Sequence, residues 1–167
     1  HNASTMAGMA FANAFLGMSH SMAHKIGAVH HTVHGRTNAI LLPYVIRYNG
    51  TRPSKTTTWP KYNYWKADEK FQDIAKMLGL PHSTPEEAVE AYAKAVYDLG
   101  VAVGIKMNFK DQGIDEKAWK DSLHEIALLA YEDQCSPANP RLPMVADMEE
   151  IMADAYYGYA ERPGRRK

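Results

Sequence analysis

Five of the eight histidines in this 167-residue chain fall between positions 20 and 34: His20, His24, His30, His31 and His34. His20 and His24 are four residues apart in a run of helix formers, so on a helix both rings leave one face about 6 Å apart. Gly27 offers a break, and His34-Gly35 sits in a turn just ahead of the next apolar run. Imidazoles stacked on one helical face, with another returning from a nearby loop, are a way for a helical protein to build a divalent-metal site.

Two metal chemistries compete for these residues. His20, His24, Gly27 and His30 match the spacing H-x-x-x-H-x-x-G-x-x-H of metzincin proteases. Those enzymes need a glutamate directly after the first histidine as the base that deprotonates zinc-bound water. Ser21 stands there and cannot do that near neutral pH. The longer block GMAFANAFLGMSHSMAHKIGAVHHTVHGRTNAILLPYVIRYN, residues 8–49, resembles the metal-binding signature of the iron-dependent (group III) alcohol dehydrogenases. It is most similar to the alcohol dehydrogenase part of bifunctional aldehyde-alcohol dehydrogenases. The resemblance implies that His20 and His34 are metal ligands, while His24 lies near the nicotinamide and substrate. His30 and His31 fall at positions that the family leaves variable. Phe11 aligns with an aromatic residue of the family's substrate pocket, with a plain core phenylalanine as the alternative.

Composition narrows the function classes. Lysine plus arginine and aspartate plus glutamate number 19 each, so no global field favours nucleic acid or an anionic membrane. The basic end, 162–167, reads as a solvated terminus. One cysteine, Cys135, excludes an internal disulfide and fits a reducing cytoplasm. No apolar run is long enough to span a bilayer. The chain starts without methionine and runs directly into a helical pattern, which predicts a fragment cut inside or just ahead of a helix.

The elements that must position the histidines are all helical. Residues 3–17, with Met6, Met9, Phe11, Phe15 and Leu16, are apolar nearly all round and predict a buried helix. The histidine helix covers about 18–29, and the turn 31–35 brings His34 back. Residues 36–48 form a further helix with Pro43 inside, and Asn38 is a buried amide expected to satisfy groups near the His34 turn. Residues 49–65 read as a long loop packed down by Trp59, Tyr62, Tyr64 and Trp65. Its mixture of basic and aromatic residues lacks the surrounding charge of a nucleic-acid site. Helices are predicted over 67–78, from a capping box at Thr84-Pro85-Glu86-Glu87 to about Leu99, from a cap at Asp115 onward, and over about 143–158. Their buried stripes include Leu99, Trp119, Ile126 and Met144, with His124 partly buried. No strand alternates convincingly, so the fold class is an all-α antiparallel bundle.

Asp133-Gln134-Cys135-Ser136-Pro137-Ala138-Asn139-Pro140-Arg141 carries the second specific resemblance to the iron alcohol dehydrogenases. It implies that Cys135 reaches the edge of the substrate pocket, a plain helix-helix loop being the alternative. No basic residue adjoins Cys135 to activate it for covalent chemistry. In the resembling family an Asp and a His on an earlier helix complete the metal shell, and a glycine-rich phosphate loop binds NAD(H). Residues 1–167 match neither, so they correspond to the C-terminal part of the helical metal-binding domain and are not expected to work alone. The resemblance implies Fe²⁺ (or Zn²⁺), NAD(H), interconversion of acetaldehyde and ethanol, and assembly as a homo-oligomer or filament. A stand-alone alcohol dehydrogenase and a non-catalytic helical assembly module are the alternatives.

Overall fold

The computed structural model describes residues 1–53 and 65–158, and among these described residues the helix signals of the sequence translate into seven α-helices. They are α1 (Asn2–Ala14), α2 (Met18–His30), α3 (His34–Gly50), α4 (Ala67–Met77), α5 (Pro85–Ala102), α6 (Glu116–Tyr131) and α7 (Val145–Tyr157), with a 3₁₀ turn at Ser136–Ala138. Among the described residues there is no strand. The expected caps are in place. Thr84 accepts from the Glu87 N–H while Glu87 accepts from the Ser83 N–H, and Asp115 accepts from Ala118.

The core forms where the apolar stripes of α2, α3, α6 and α7 meet. Met18, Met22 and Ile26 pack with Ile40, Leu41, Trp119, Ile126, Met148 and Met152. Trp119 stacks between Phe109 and Tyr156, with ring centroids 4.8 and 5.3 Å away, and supplies much of the buried aromatic area. A smaller cluster of Ile46, Val89 and Ala93 joins α3 to α5, against which α4 lies. α3 is therefore the shared member of both packing layers, and the histidine helix α2 is held along its other side.

Several expectations need correction. The helix over 3–17 is not buried. It ends at Ala14, none of its residues is buried, and Met6 stays 69% exposed. Apolar on nearly every side, it offers no single face to the stripes that close the core from Met18 onward. His34 is the first residue of α3, not part of a turn, because Val33 already has the extended backbone of an N-cap. α3 runs through Gly50, so the long loop starts later than residue 49. Trp59, Tyr62 and Tyr64 lie outside the described residues. On α5 the buried stripe passes through Val89, Ala93 and Gly100, which leaves Leu99 exposed one position off. Met144 precedes the first turn of α7 and is exposed for that reason. His124 is not partly buried: its side chain is 77% exposed, and it pairs with Glu149 across the rim of α6 and α7.

The Asn139-Pro140-Arg141 turn ties this framework together. The buried Asn139 Oδ1 accepts from the Met18 N–H and from Asn49 Nδ2, and its amide donates to Asn49 Oδ1 and to the Arg141 carbonyl. Arg141 donates to the Tyr48 carbonyl and lies over the Tyr48 ring. A side chain at Gly17 would put its Cβ 2.7 Å from Asn139 Oδ1, so glycine is what lets α2 start here. One buried amide thus fixes the start of α2 against the end of α3.

Candidate metal centre

The residues that point away from the core on α2 are those with chemistry. Ser21 is fully buried and bonds the hydroxyl of Ser136, which turns His20 and His24 to the opposite, accessible side. His34, opening α3, reaches the same place. The three rings form one cluster: centroids are 5.2 Å apart for His20 and His34, 5.3 Å for His24 and His34, and 6.0 Å for His20 and His24. His24 and His34 are stacked, while His20 stands edge-on to His24.

This arrangement suits a cation. Burial, followed by the charges that His34 and His24 would carry, pushes the His20 pKa below its ordinary value, so the ring favours the neutral form that binds metals. Asn38 Nδ2 lies 3.2 Å from His34 Nε2 and 3.2 Å from the His34 carbonyl, and Ser19 donates to its Oδ1. In the tautomer that accepts the Asn38 bond, the Nε2 lone pair of His34 is engaged by that amide, so a metal at Nε2 would replace the Asn38 bond. The amide thus serves the start of α3, as expected for Asn38, although it is only partly buried. The donor set of two to three clustered imidazoles fits a divalent transition metal of the iron or zinc type.

The other candidate residues distribute around this cluster. Phe11 is 46% exposed in this chain, outside its core, and its ring centroid lies 6.2 Å from that of His20. Cys135 is buried beneath His24. His30 stands apart, bonded to Ser122 and against Trp119, and His31 adopts the left-handed cap of α2.

One partner was not visible in the sequence. Asp133 brings its Oδ2 to 3.3 Å from His24 Nδ1 and 3.0 Å from Lys25 Nζ. Burial raises the pKa of this carboxyl, but the Cys135 N–H, Lys25, the Cys135 thiol and His24 together hold it well below the usual carboxylate range. Donor atoms of His24, Asp133 and Cys135 lie within 4.8 Å of one another. That trio is a poor cation site, because Lys25 already neutralises Asp133 and the thiol stays protonated. Burial, then the bond and charge of Asp133, pushes Cys135 from 9.0 up to about 11. At neutral pH this leaves about 100-fold less thiolate than an unperturbed cysteine. Alkylation of Cys135 by iodoacetamide is therefore expected to be at least about 100-fold slower in the native protein than in denaturant. Equal rates in the two conditions would show the thiol to be accessible and unshifted.

Comparison with known proteins identifies the family to which this helical fold belongs. The profile of the Fe-containing alcohol dehydrogenase family, C-terminal, matches residues 1–156. The chain is 80% identical over all 167 residues to an aldehyde-alcohol dehydrogenase of Streptococcus pneumoniae, of which it covers 19%. It is 38% identical over 161 residues to the bifunctional aldehyde-alcohol dehydrogenase of Escherichia coli K12, covering 95% of this chain and 18% of that one. The chain thus spans about a fifth of the length of these curated relatives. Its fold is similar to the crystal structure of a 1,3-propanediol oxidoreductase, with a TM-score of 0.76 and 32% identity over 92% of this chain and 36% of that one. No helix among the described residues is long and apolar enough to cross a membrane. By the family match over nearly its whole length, and by a helical fold shared with that enzyme, this chain belongs to the iron-containing alcohol dehydrogenase family.

Proposed function

We propose that this chain is the metal-binding helical part of an iron-dependent alcohol dehydrogenase that interconverts acetaldehyde and ethanol with NAD(H), within a bifunctional aldehyde-alcohol dehydrogenase. The observation that carries the proposal is the cluster of His20, His24 and His34, three imidazoles from two helices gathered at an accessible surface. His20 and His34 would hold the metal, with the rest of the shell and the NAD(H) cradle supplied by the remainder of the same polypeptide. When bound, Fe²⁺ supplies Lewis acidity to a substrate C–O group, and Zn²⁺ could do the same.

The chain's own side chains account for the remaining steps. His24, stacked on His34 and not needed as a ligand, takes a proton from the alcohol or returns it to the aldehyde as hydride moves between carbon and nicotinamide. The Phe11 ring, 6.2 Å from that of His20, would form part of the substrate wall once the remainder of the polypeptide closes the site. Cys135, buried and protonated, shapes the floor under His24 without covalent chemistry. The exposed apolar side chains of α1 support docking against the remainder of the polypeptide, since contiguous apolar surface on a soluble protein marks contact sites. Assembly as a homo-oligomer or filament and a cytoplasmic setting belong to the same reading, the latter because a lone free thiol persists in a reducing compartment.

The bifunctional assignment is favoured over a stand-alone alcohol dehydrogenase by degree of similarity. Identity is 80% to the aldehyde-alcohol dehydrogenase of S. pneumoniae but 40% to the NADPH-dependent butanol dehydrogenase of Clostridium saccharobutylicum. The assay is direct. The complete polypeptide, stripped by a chelator and reloaded with Fe²⁺, should reduce NAD⁺ with ethanol only in the loaded state. Loss of ethanol oxidation in neither state, or its absence from both, would count against the proposal.

A further inference from the structure

Asp133 follows directly on the C-cap of α6, and its backbone is fixed on both sides: its N–H donates to the Ala130 carbonyl and its carbonyl accepts from Ser136. The side chain is 8% exposed. Oδ1 accepts from the Cys135 N–H at 3.0 Å, which by itself closes the turn. Oδ2 is not needed for that turn. It lies instead against α2, 3.0 Å from Lys25 Nζ and 3.3 Å from His24 Nδ1. Lys25 keeps the carboxylate ionised without drawing on His24. An ionised carboxylate only accepts hydrogen bonds, so the bond requires the proton to sit on His24 Nδ1. Nε2 is then the nitrogen left to give or take a proton.

We propose that Asp133 is a positioning residue, holding His24 by Nδ1 in one tautomer and orientation so that Nε2 serves the reaction. The inference rests on the proton-relay role given to His24 above. A carboxylate behind an imidazole fixes its tautomer and ring orientation, and loss of such outer partners costs roughly 10–100-fold in activity. Asp133 itself touches no substrate and acts only through His24.

The test is a double-mutant cycle in the complete, iron-loaded polypeptide. Asp133→Asn and Asp133→Ser each remove the carboxylate. Serine retains an acceptor for the Cys135 N–H, so the turn survives if asparagine misfolds. Each should lower kcat about 10–100-fold with KM changed little and iron content unchanged. In a His24→Ala background the same changes should have no further effect. A crystal structure of the metal-free Asp133→Ser protein should show the His24 ring rotated or in two orientations. Slow turnover of His24→Ala beside normal turnover of both Asp133 variants would overturn this inference alone. So would Asp133 losses that are undiminished in the His24→Ala background. Full activity of His24→Ala would overturn the relay, and this inference with it.

Discussion

Replacing His20 with alanine should strip the metal from the complete polypeptide while leaving the fold intact. His20 is one of two ligands that this chain contributes, and its ring sits 5.2 Å from that of the other, His34. Outer-shell changes already weaken metal sites roughly 10–100-fold, and loss of a direct ligand should exceed that. Folding should be spared because the helix face carrying His20 looks away from the core formed by Met18, Met22 and Ile26. Iron per subunit, measured by elemental analysis after gel filtration, should fall to background in His20→Ala. Thermal unfolding of the metal-free protein should shift by no more than the roughly 0.5 kcal/mol usual for accessible sites. Metal retained at wild-type stoichiometry would remove His20 from the shell.

His24→Ala should separate chemistry from metal binding. The ring stacks on His34 with its Nδ1 held by Asp133, which leaves Nε2 for proton transfer, and the family resemblance assigns the ligand positions to His20 and His34 instead. Positioned acid–base groups contribute on the order of 10²–10⁴-fold. Turnover should drop by about that factor with iron content unchanged. Iron lost along with activity would make His24 a ligand, and full activity with iron retained would end the relay role.

These two side chains could be picked out from the sequence because they lie close together in it. Four-residue spacing on a helix and a return within ten residues are short-range geometry, which local pattern fixes. Asp133 was not legible, because it is 109 residues from His24 and only the packing of α2 against α6 brings them together. The D-x-C-x-x-x-N-P-R segment was recognised as meaningful, yet its sequence gave no sign of the work Asn139 does as a buried tie between α2 and α3. Helix existence followed from periodicity and capping residues. Which face is buried did not always follow: Leu99 and Met144 fit an apolar stripe on paper but sit one position or one cap away from it. The α1 segment failed for a different reason. A helix that is apolar all round reads as buried, but periodicity says nothing of whether the neighbouring helices offer it a surface.

The most direct test of the central claim is anomalous diffraction at the iron absorption edge from crystals of the complete polypeptide. A single peak within bonding distance of imidazole nitrogens of both His20 and His34, with His24 alongside but unbonded, is the result this account predicts. A peak held by His24, Asp133 and Cys135, or iron bound away from His20 and His34 altogether, would contradict it.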